Sequence, residues 1–243
     1  MASDFFDFKE FRVFHKLSAM KVGTDSVLLG CLVNIFASDK HVLDIGTGCG
    51  ILALIMAQRG EAEIDAIEID ELAFQEASAN FSNSIWATRL QAKNISIQLF
   101  AQETQIKYDC IVSNPPYFDS ARNFNIEDEQ RKLARQDANL PFEDLALSVA
   151  KLLNEAGSFW LVLPPHEASN FQTIAARQGL FLNFDFSIYP NAESLIRRKV
   201  QAYGKIQNAL IEEDLILLNK DKEKTSSYFN LTKDFYLDQQ KSR

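Results

Sequence analysis

Little in this chain could staple a fold together. Its 243 residues include three cysteines, Cys31, Cys49 and Cys110, set far apart. An odd, unclustered count fits neither a disulfide framework nor a zinc-ligand set. Each lies among apolar neighbours, where a small buried thiol is the simplest reading. The three histidines, His15, His41 and His166, are equally scattered, so neither a metal centre nor a histidine-based triad is expected. Such cysteine usage fits a reducing cytoplasm, the expected location. No apolar run approaches the roughly 20 residues of a membrane-spanning helix, and no membrane is expected among the partners. The opening MASDFFDFKEFR carries acids and aromatics, where a secretory signal has a basic start and an apolar centre. Glycine and proline are also scarce, at nine and six residues.

What is present is a globular composition, 47% apolar and 24% charged, in a chain long enough to bury a core unaided. The net charge of −8 does not by itself suggest a nucleic-acid binder. The distribution matters more than the sum. Residues 194–208 hold Arg197, Arg198, Lys199 and Lys205 with no acid. A second group, Arg122, Arg131, Lys132 and Arg135, is diluted by Glu127, Asp128 and Glu129, and a solvated face is an equal alternative for it.

Strand-like and helix-like segments alternate from His41 onward. HVLDIG (41–46), EIDAIEI (63–69), ISIQLF (95–100), YDCIVS (108–113) and SFWLVLP (158–164) read as short buried strands. Helices are expected after Gly50, over 71–81, over 142–154 closing near Gly157, and over 166–178. LFLNFDFSIYP (180–190) and KVQAYGKIQ (199–207) alternate as two antiparallel strands. KDKEKTSS (220–227) reads as a surface loop before a last helix. This pattern predicts an α/β fold, a doubly wound, Rossmann-like, mostly parallel seven-stranded sheet ending in an antiparallel hairpin. Residues 1–40 form an N-terminal extension whose helix, 25–36, packs on the remainder, 41–243, as one structural domain.

VLDIGTGCGIL places Gly46, Gly48 and Gly50 between a strand and a helix, where glycine permits a tight turn and close approach of a ligand to the main chain. The spacing is not the G-x-G-x-x-G of dinucleotide folds. Asp44, two residues before the first glycine, would repel a pyrophosphate and suits a ligand carrying an ammonium or sulfonium. Glu68 ends the next strand, where a carboxylate can accept from both ribose hydroxyls. This combination resembles the class I S-adenosylmethionine-dependent methyltransferases. The resemblance implies S-adenosyl-L-methionine as cofactor, with Asp44, Gly46, Gly48 and Gly50 around its amino-acid part and Glu68 on its ribose. It also implies an adenine contact after the third strand, here Gln102 or Glu103, and makes 41–243 the methyltransferase domain.

SNPPYF (113–118) follows the fourth strand, at the carboxyl edge where α/β sheets bind ligands. It resembles the [NDS]-P-P-[YFW] motif of methyltransferases acting on planar nitrogens. The chemistry accounts for the residue types. A planar amine has a delocalised lone pair and attacks poorly. The Asn114 side-chain oxygen and the Pro115 carbonyl can each accept one N–H, with Pro115 and Pro116 restricting where that carbonyl points. Tyr117 can stack on the target ring. The resemblance also places Asn114 against the cofactor.

The motif alone admits nucleic-acid amines and a protein glutamine. FKEFRVFHKLSAMKVGTDSVLLG (8–30), SNPPYF and LTKDFYL (231–237) together resemble the bacterial tRNA1(Val) (adenine-37-N6)-methyltransferase family over nearly the whole chain. The resemblance implies methylation of N6 of adenosine-37, with the anticodon loop of a tRNA as partner and the protein acting as a monomer. Lys21 and Thr24 then border the cofactor and target pocket, although Thr24 or Asp25 can simply cap the following helix. Arg197, Arg198 and Lys199, with Arg135, are the expected phosphate contacts. The alternatives are a glutamine-N5 methyltransferase acting on release factors and an rRNA base-amino methyltransferase.

Overall fold

A computed structural model describes residues 3–116 and 140–237. The runs of β-branched and apolar residues form a central sheet of β3 (His41–Ile45), β4 (Glu63–Glu68), β5 (Leu90–Asn94), β6 (Tyr108–Ser113), β7 (Leu153–Leu163), β8 (Phe181–Asn191), β9 (Arg198–Gly204) and β10 (Ile211–Leu218). Their order is β10-β8-β9-β7-β6-β3-β4-β5. Only β9 runs against its neighbours, β7 and β8; every other pairing is parallel. Seven of the strands make the expected sheet with its antiparallel hairpin, and β10 adds an eighth at the edge.

The helices among the described residues are α1 (Thr24–Leu32), α2 (Ile51–Arg59), α3 (Glu71–Ser82), α4 (Ile97–Glu103), α5 (Phe142–Leu152), α6 (Pro165–Arg177) and α7 (Ser226–Thr232). They cover both faces, as parallel strands require. One apolar cluster joins α1, α2, α3 and α7 to the sheet; the other joins α4, α5 and α6. Alternation along β3 divides it between them, Val42 on one side and Leu43 and Ile45 on the other.

Three expected boundaries change. The stretch 95–100 is not a strand. Ser96 caps α4 by accepting the Leu99 N–H at 3.3 Å, and Ile97, Phe100 and Ala101 face the core at helical spacing. The strand lies earlier, at Leu90–Asn94. Helix α1 stops at Leu32, because Val33 turns extended with ψ 131°. Helix α5 ends at Leu152, and Gly157 lies inside β7.

The N-terminal segment is part of the same core. A hairpin of β1 (Phe5–Asp7) and β2 (Arg12–Phe14) is followed by Val27 and Leu28, buried with Phe8, Phe11 and Val13. It meets the other end of the chain: Lys9 donates its N–H to the Phe235 carbonyl at 2.8 Å, and Phe8 stacks on Tyr236. The segments 8–30 and 231–237 are therefore neighbours in space.

Candidate active site

Two strand ends meet at one register. Strands β3 and β6 are hydrogen-bonded neighbours where the strand order reverses, with Ile45 opposite Ser113. Gly46 follows the first and Asn114 the second, so the glycine loop and the Asn-Pro-Pro sequence issue side by side, about 4.8 Å apart. Ser113 Oγ donates to the Ile45 carbonyl at 2.9 Å and ties the two ends together. This is the crevice in which open α/β sheets bind ligands.

Gly46, Gly48 and Gly50 have φ of 68°, 56° and 86°, the left-handed region that a side chain disfavours. Among the described residues a Cβ on Gly46 or Gly48 would meet nothing within 4 Å, so both leave an open face of main chain there. Gly50 instead closes the loop onto α3, where a Cβ would stand 2.5 Å from the Phe81 ring. Glu68, at the end of β4, holds the loop from below. One of its oxygens accepts the Gly48 N–H at 2.8 Å, and the other accepts those of Ile69 and Asp70 at 2.8 and 3.0 Å.

Asp44 is fully buried. Its Oδ2 accepts from the Thr47 hydroxyl at 2.6 Å and the Ala53 N–H at 3.2 Å, while Oδ1 has no hydrogen-bond partner among the described residues. Burial pushes its carboxyl up to about 7; the two hydrogen bonds pull the other way, and the Glu68 charge adds to the rise. A buried acceptor without a donor is costly, and a cationic ligand beside it would remove that cost.

Asn114 is also buried, at 8% exposure. Its Nδ2 donates to Ser26 Oγ at 2.9 Å, and its Oδ1 has no partner among the described residues. Pro115 is buried and Pro116 half-buried beyond it. N-terminal sequence before Ser26 is pinned by α3. Glu76 accepts the Leu17 and Ser18 N–H groups, both at 2.8 Å, and the Ser18 hydroxyl. Asn80 bonds both polar groups of the Phe14 backbone and donates to the Cys49 carbonyl of the glycine loop at 2.8 Å. His15 accepts the Val22 N–H at 3.2 Å and reaches the Ser3 carbonyl at 2.9 Å.

Lys21 and Thr24 are exposed, two to five residues before Ser26. Lys21 Nζ donates to the His15 carbonyl. The N-cap of α1 is Gly23, with no side-chain cap, so neither Thr24 nor Asp25 plays the capping part. Asp25 instead receives Arg198 Nε at 2.8 Å. Strand β5 delivers the chain to the carboxyl edge at Asn94, and α4 carries it back toward the start of β6, leaving Gln102 and Glu103 at the far end of that helix. Asn94 is the residue at the edge, donating to the Glu68 and Ile69 carbonyls at 2.9 and 3.2 Å.

The β8–β9 hairpin tip lies on the carboxyl edge, since Lys199 of β9 pairs with Leu163 at the end of β7. Arg197 is exposed there. Arg198 and Lys199 are held by carboxylates, Arg198 by Asp25 and Lys199 by Asp185, each at 2.8 Å and with side chains 12% and 20% exposed. Their charges are paired within the fold. Tyr117, Phe118, Arg122, Arg131, Lys132 and Arg135 lie outside the described residues. Among the described residues no His, Cys, Asp or Glu group could hold a metal ion, and no helix is long and apolar enough to cross a membrane.

Residues 17–171 match the family model of the methyltransferase small domain. The chain is 39% identical over 242 residues to the tRNA1(Val) (adenine(37)-N6)-methyltransferase of Flavobacterium johnsoniae, covering 96% of this chain and 99% of that one. It is 37% identical over 238 residues to the enzyme of the same name from Bacteroides fragilis, covering 98% and 99%. The chain belongs to the tRNA1(Val) (adenine(37)-N6)-methyltransferase family. As a member of that family it is an S-adenosyl-L-methionine-dependent methyltransferase. The residues fit that cofactor, with the unpartnered Asp44 Oδ1 suited to a cationic group and the open faces of Gly46 and Gly48 leaving room beside the main chain. The fold agrees. A crystal structure of a predicted O-methyltransferase from Agrobacterium tumefaciens superposes with a TM-score of 0.66 at 17% identity, covering 87% of this chain and 96% of that chain.

The family signature left several residues unmarked. Ser26, Glu76 and Asn80 shape the site, yet their partners lie 88, 58 and 66 residues away. The only sequence signal was that Glu76 and Asn80 are polar residues four apart on a helix, the spacing of one face.

Proposed function

We propose that the protein transfers a methyl group from S-adenosyl-L-methionine to the exocyclic N6 of adenosine-37 in tRNA1(Val), giving N6-methyladenosine. The observation that carries this reading is the buried Oδ1 of Asn114, unpartnered among the described residues and set one strand from the glycine loop. An oxygen in that state is preorganised to accept an N–H from a substrate. Neighbours with 37–39% identity over nearly their full length bear the name of this activity.

When bound, the cofactor supplies an electrophilic methyl group on a sulfonium. Asp44, Gly46, Gly48 and Glu68 would hold it, with Lys21 and Thr24 bordering the site. Asn114 Oδ1 takes one N–H of the target amine and the Pro115 carbonyl takes the other, drawing the nitrogen lone pair out of the ring. Pro115 precedes a proline, so its ψ as well as its φ is restricted and its carbonyl is fixed in direction. Tyr117 would stack on the ring to hold the nitrogen in line. No side chain has to remove a proton beforehand; the proton leaves to solvent after transfer.

The adenine must be splayed out of its stack to reach a recessed amide, which costs less in an anticodon loop than in a duplex. Arg197 at the exposed hairpin tip is the favoured phosphate contact, and Arg135 would add to it. Glycine loop and acceptor motif come from one chain, which supports a monomer. Three buried free cysteines support a cytoplasmic location.

Nucleoside mass spectrometry of unmodified tRNA treated with the pure protein tests the proposal. A new N6-methyladenosine peak is expected, lost in Asn114→Ala while cofactor binding persists. Transfer to a release-factor glutamine peptide with none to tRNA would overturn it.

A further inference from the structure

The Asn114 amide has two ends, and only one serves the reaction. Its oxygen accepts an N–H; its nitrogen would oppose one. Ser26 Oγ, 7% exposed, accepts the Asn114 Nδ2 hydrogen at 2.9 Å, which leaves Oδ1 as the buried atom without a partner among the described residues. The anchor lies on a different element, α1, and that element is held from two sides. Gly30, one turn after Ser26 and so on the same face, packs directly on α2, where a Cβ would stand 2.8 Å from Ile55 Cγ2. Asp25, next to Ser26, is joined to Arg198 of β9 at 2.8 Å.

We propose that Ser26 is a positioning residue, whose hydroxyl holds the Asn114 amide with its oxygen toward the target amine. This rests on the function proposed above. Ser26 touches neither substrate nor cofactor in this role and acts only through Asn114. Without it the amide turns about its last torsion, whose preference is broad, and the fraction poised to accept falls.

The test compares Ser26→Ala in two backgrounds. In the otherwise unchanged protein it should lower kcat for tRNA methylation on the order of tenfold, about the worth of one net hydrogen bond, with KM for tRNA and cofactor unchanged. In the Asn114→Asp background the loss should be clearly smaller, because a carboxylate presents an oxygen whichever way it turns and loses only the Ser26 hydroxyl on its other oxygen. Equal losses in both backgrounds, or none in the first, would overturn the proposal. A second measurement decides the matter if the Asn114→Asp protein is inactive. The Asn114 side-chain NH2 resonances, assigned by their loss in Asn114→Ala, should exchange with water about tenfold faster in Ser26→Ala; unchanged exchange refutes the anchor. An unsubstituted protein that methylates no tRNA would instead refute the functional reading, and the exchange experiment would still report on Ser26.

Discussion

The Glu68 carboxylate at the end of β4 accepts the Gly48 N–H of the loop after β3 at 2.8 Å. The group expected on the ribose of the cofactor is thus also a strut of the glycine loop, and its second oxygen holds the chain as it turns into α3. Glu68→Gln keeps the size but turns an NH2 toward either the Gly48 or the Ile69 and Asp70 donors. Loss of one charge-assisted bond is worth about 1.5–3 kcal/mol. Cofactor affinity should fall roughly 10- to 100-fold by isothermal titration calorimetry, with the far-ultraviolet spectrum unchanged. An unaltered Kd would show that the strut is dispensable.

Asp44 predicts a pH dependence. Its carboxyl, pushed up to about 7 by burial, has an unfolded value near 3.9. The folded state therefore favours the protonated form. That contribution is fully present below about pH 4 and is lost as pH rises through about 7. The melting temperature of the unliganded protein should decline over this window relative to Asp44→Asn, whose amide does not titrate. Identical pH profiles for the two proteins would exclude Asp44 as the titrating group.

Gly50→Ala should be costly for two independent reasons. Its φ of 86° costs an L side chain about 1–2 kcal/mol, and the new methyl would lie 2.5 Å from Phe81, an overpacking worth about 1–3 kcal/mol. A destabilisation of roughly 3 kcal/mol is expected in urea melts. Adding Phe81→Leu should recover only the crowding part, leaving the backbone part in place. Full recovery would mean that the left-handed turn carries no strain.

The legible parts of the chain were those where local sequence and tertiary role agree. VLDIG and YDCIVS are apolar runs buried on both faces, and they became β3 and β6 with the glycine loop and Asn114 at their ends. ISIQLF alternates like a strand, but Ser96 caps a helix there. The true strand, LQAKN, is an edge strand with mixed burial, too polar to show as a run. Arg197, Arg198 and Lys199 read alike in sequence, because the acids that separate them, Asp25 and Asp185, are brought in by folding from 173 and 14 residues away. Ser26 stands within the family-like segment 8–30, but its pairing with Asn114, 88 residues away, appears only on folding.

That separation gives the last prediction. Arg197 is exposed at the hairpin tip, whereas the Arg198 guanidinium is 12% exposed against the Asp25 carboxylate, itself 25% exposed. Removing one member of a largely buried pair takes a hydrogen-bonded ion-pair contact from the fold, so Arg198→Ala should lower the melting temperature by several degrees. Its effect on tRNA binding should be secondary and should scarcely alter the salt dependence. Arg197→Ala should do the reverse. The melting temperature should hold, and the slope of log affinity against log salt should fall by about 1, as loss of one phosphate contact requires. Melting curves and tRNA binding at three salt concentrations separate the two. If Arg198→Ala instead reduced the salt slope with no loss of stability, its pairing with Asp25 would have to open when tRNA binds, and the phosphate role first read for Arg198 would stand.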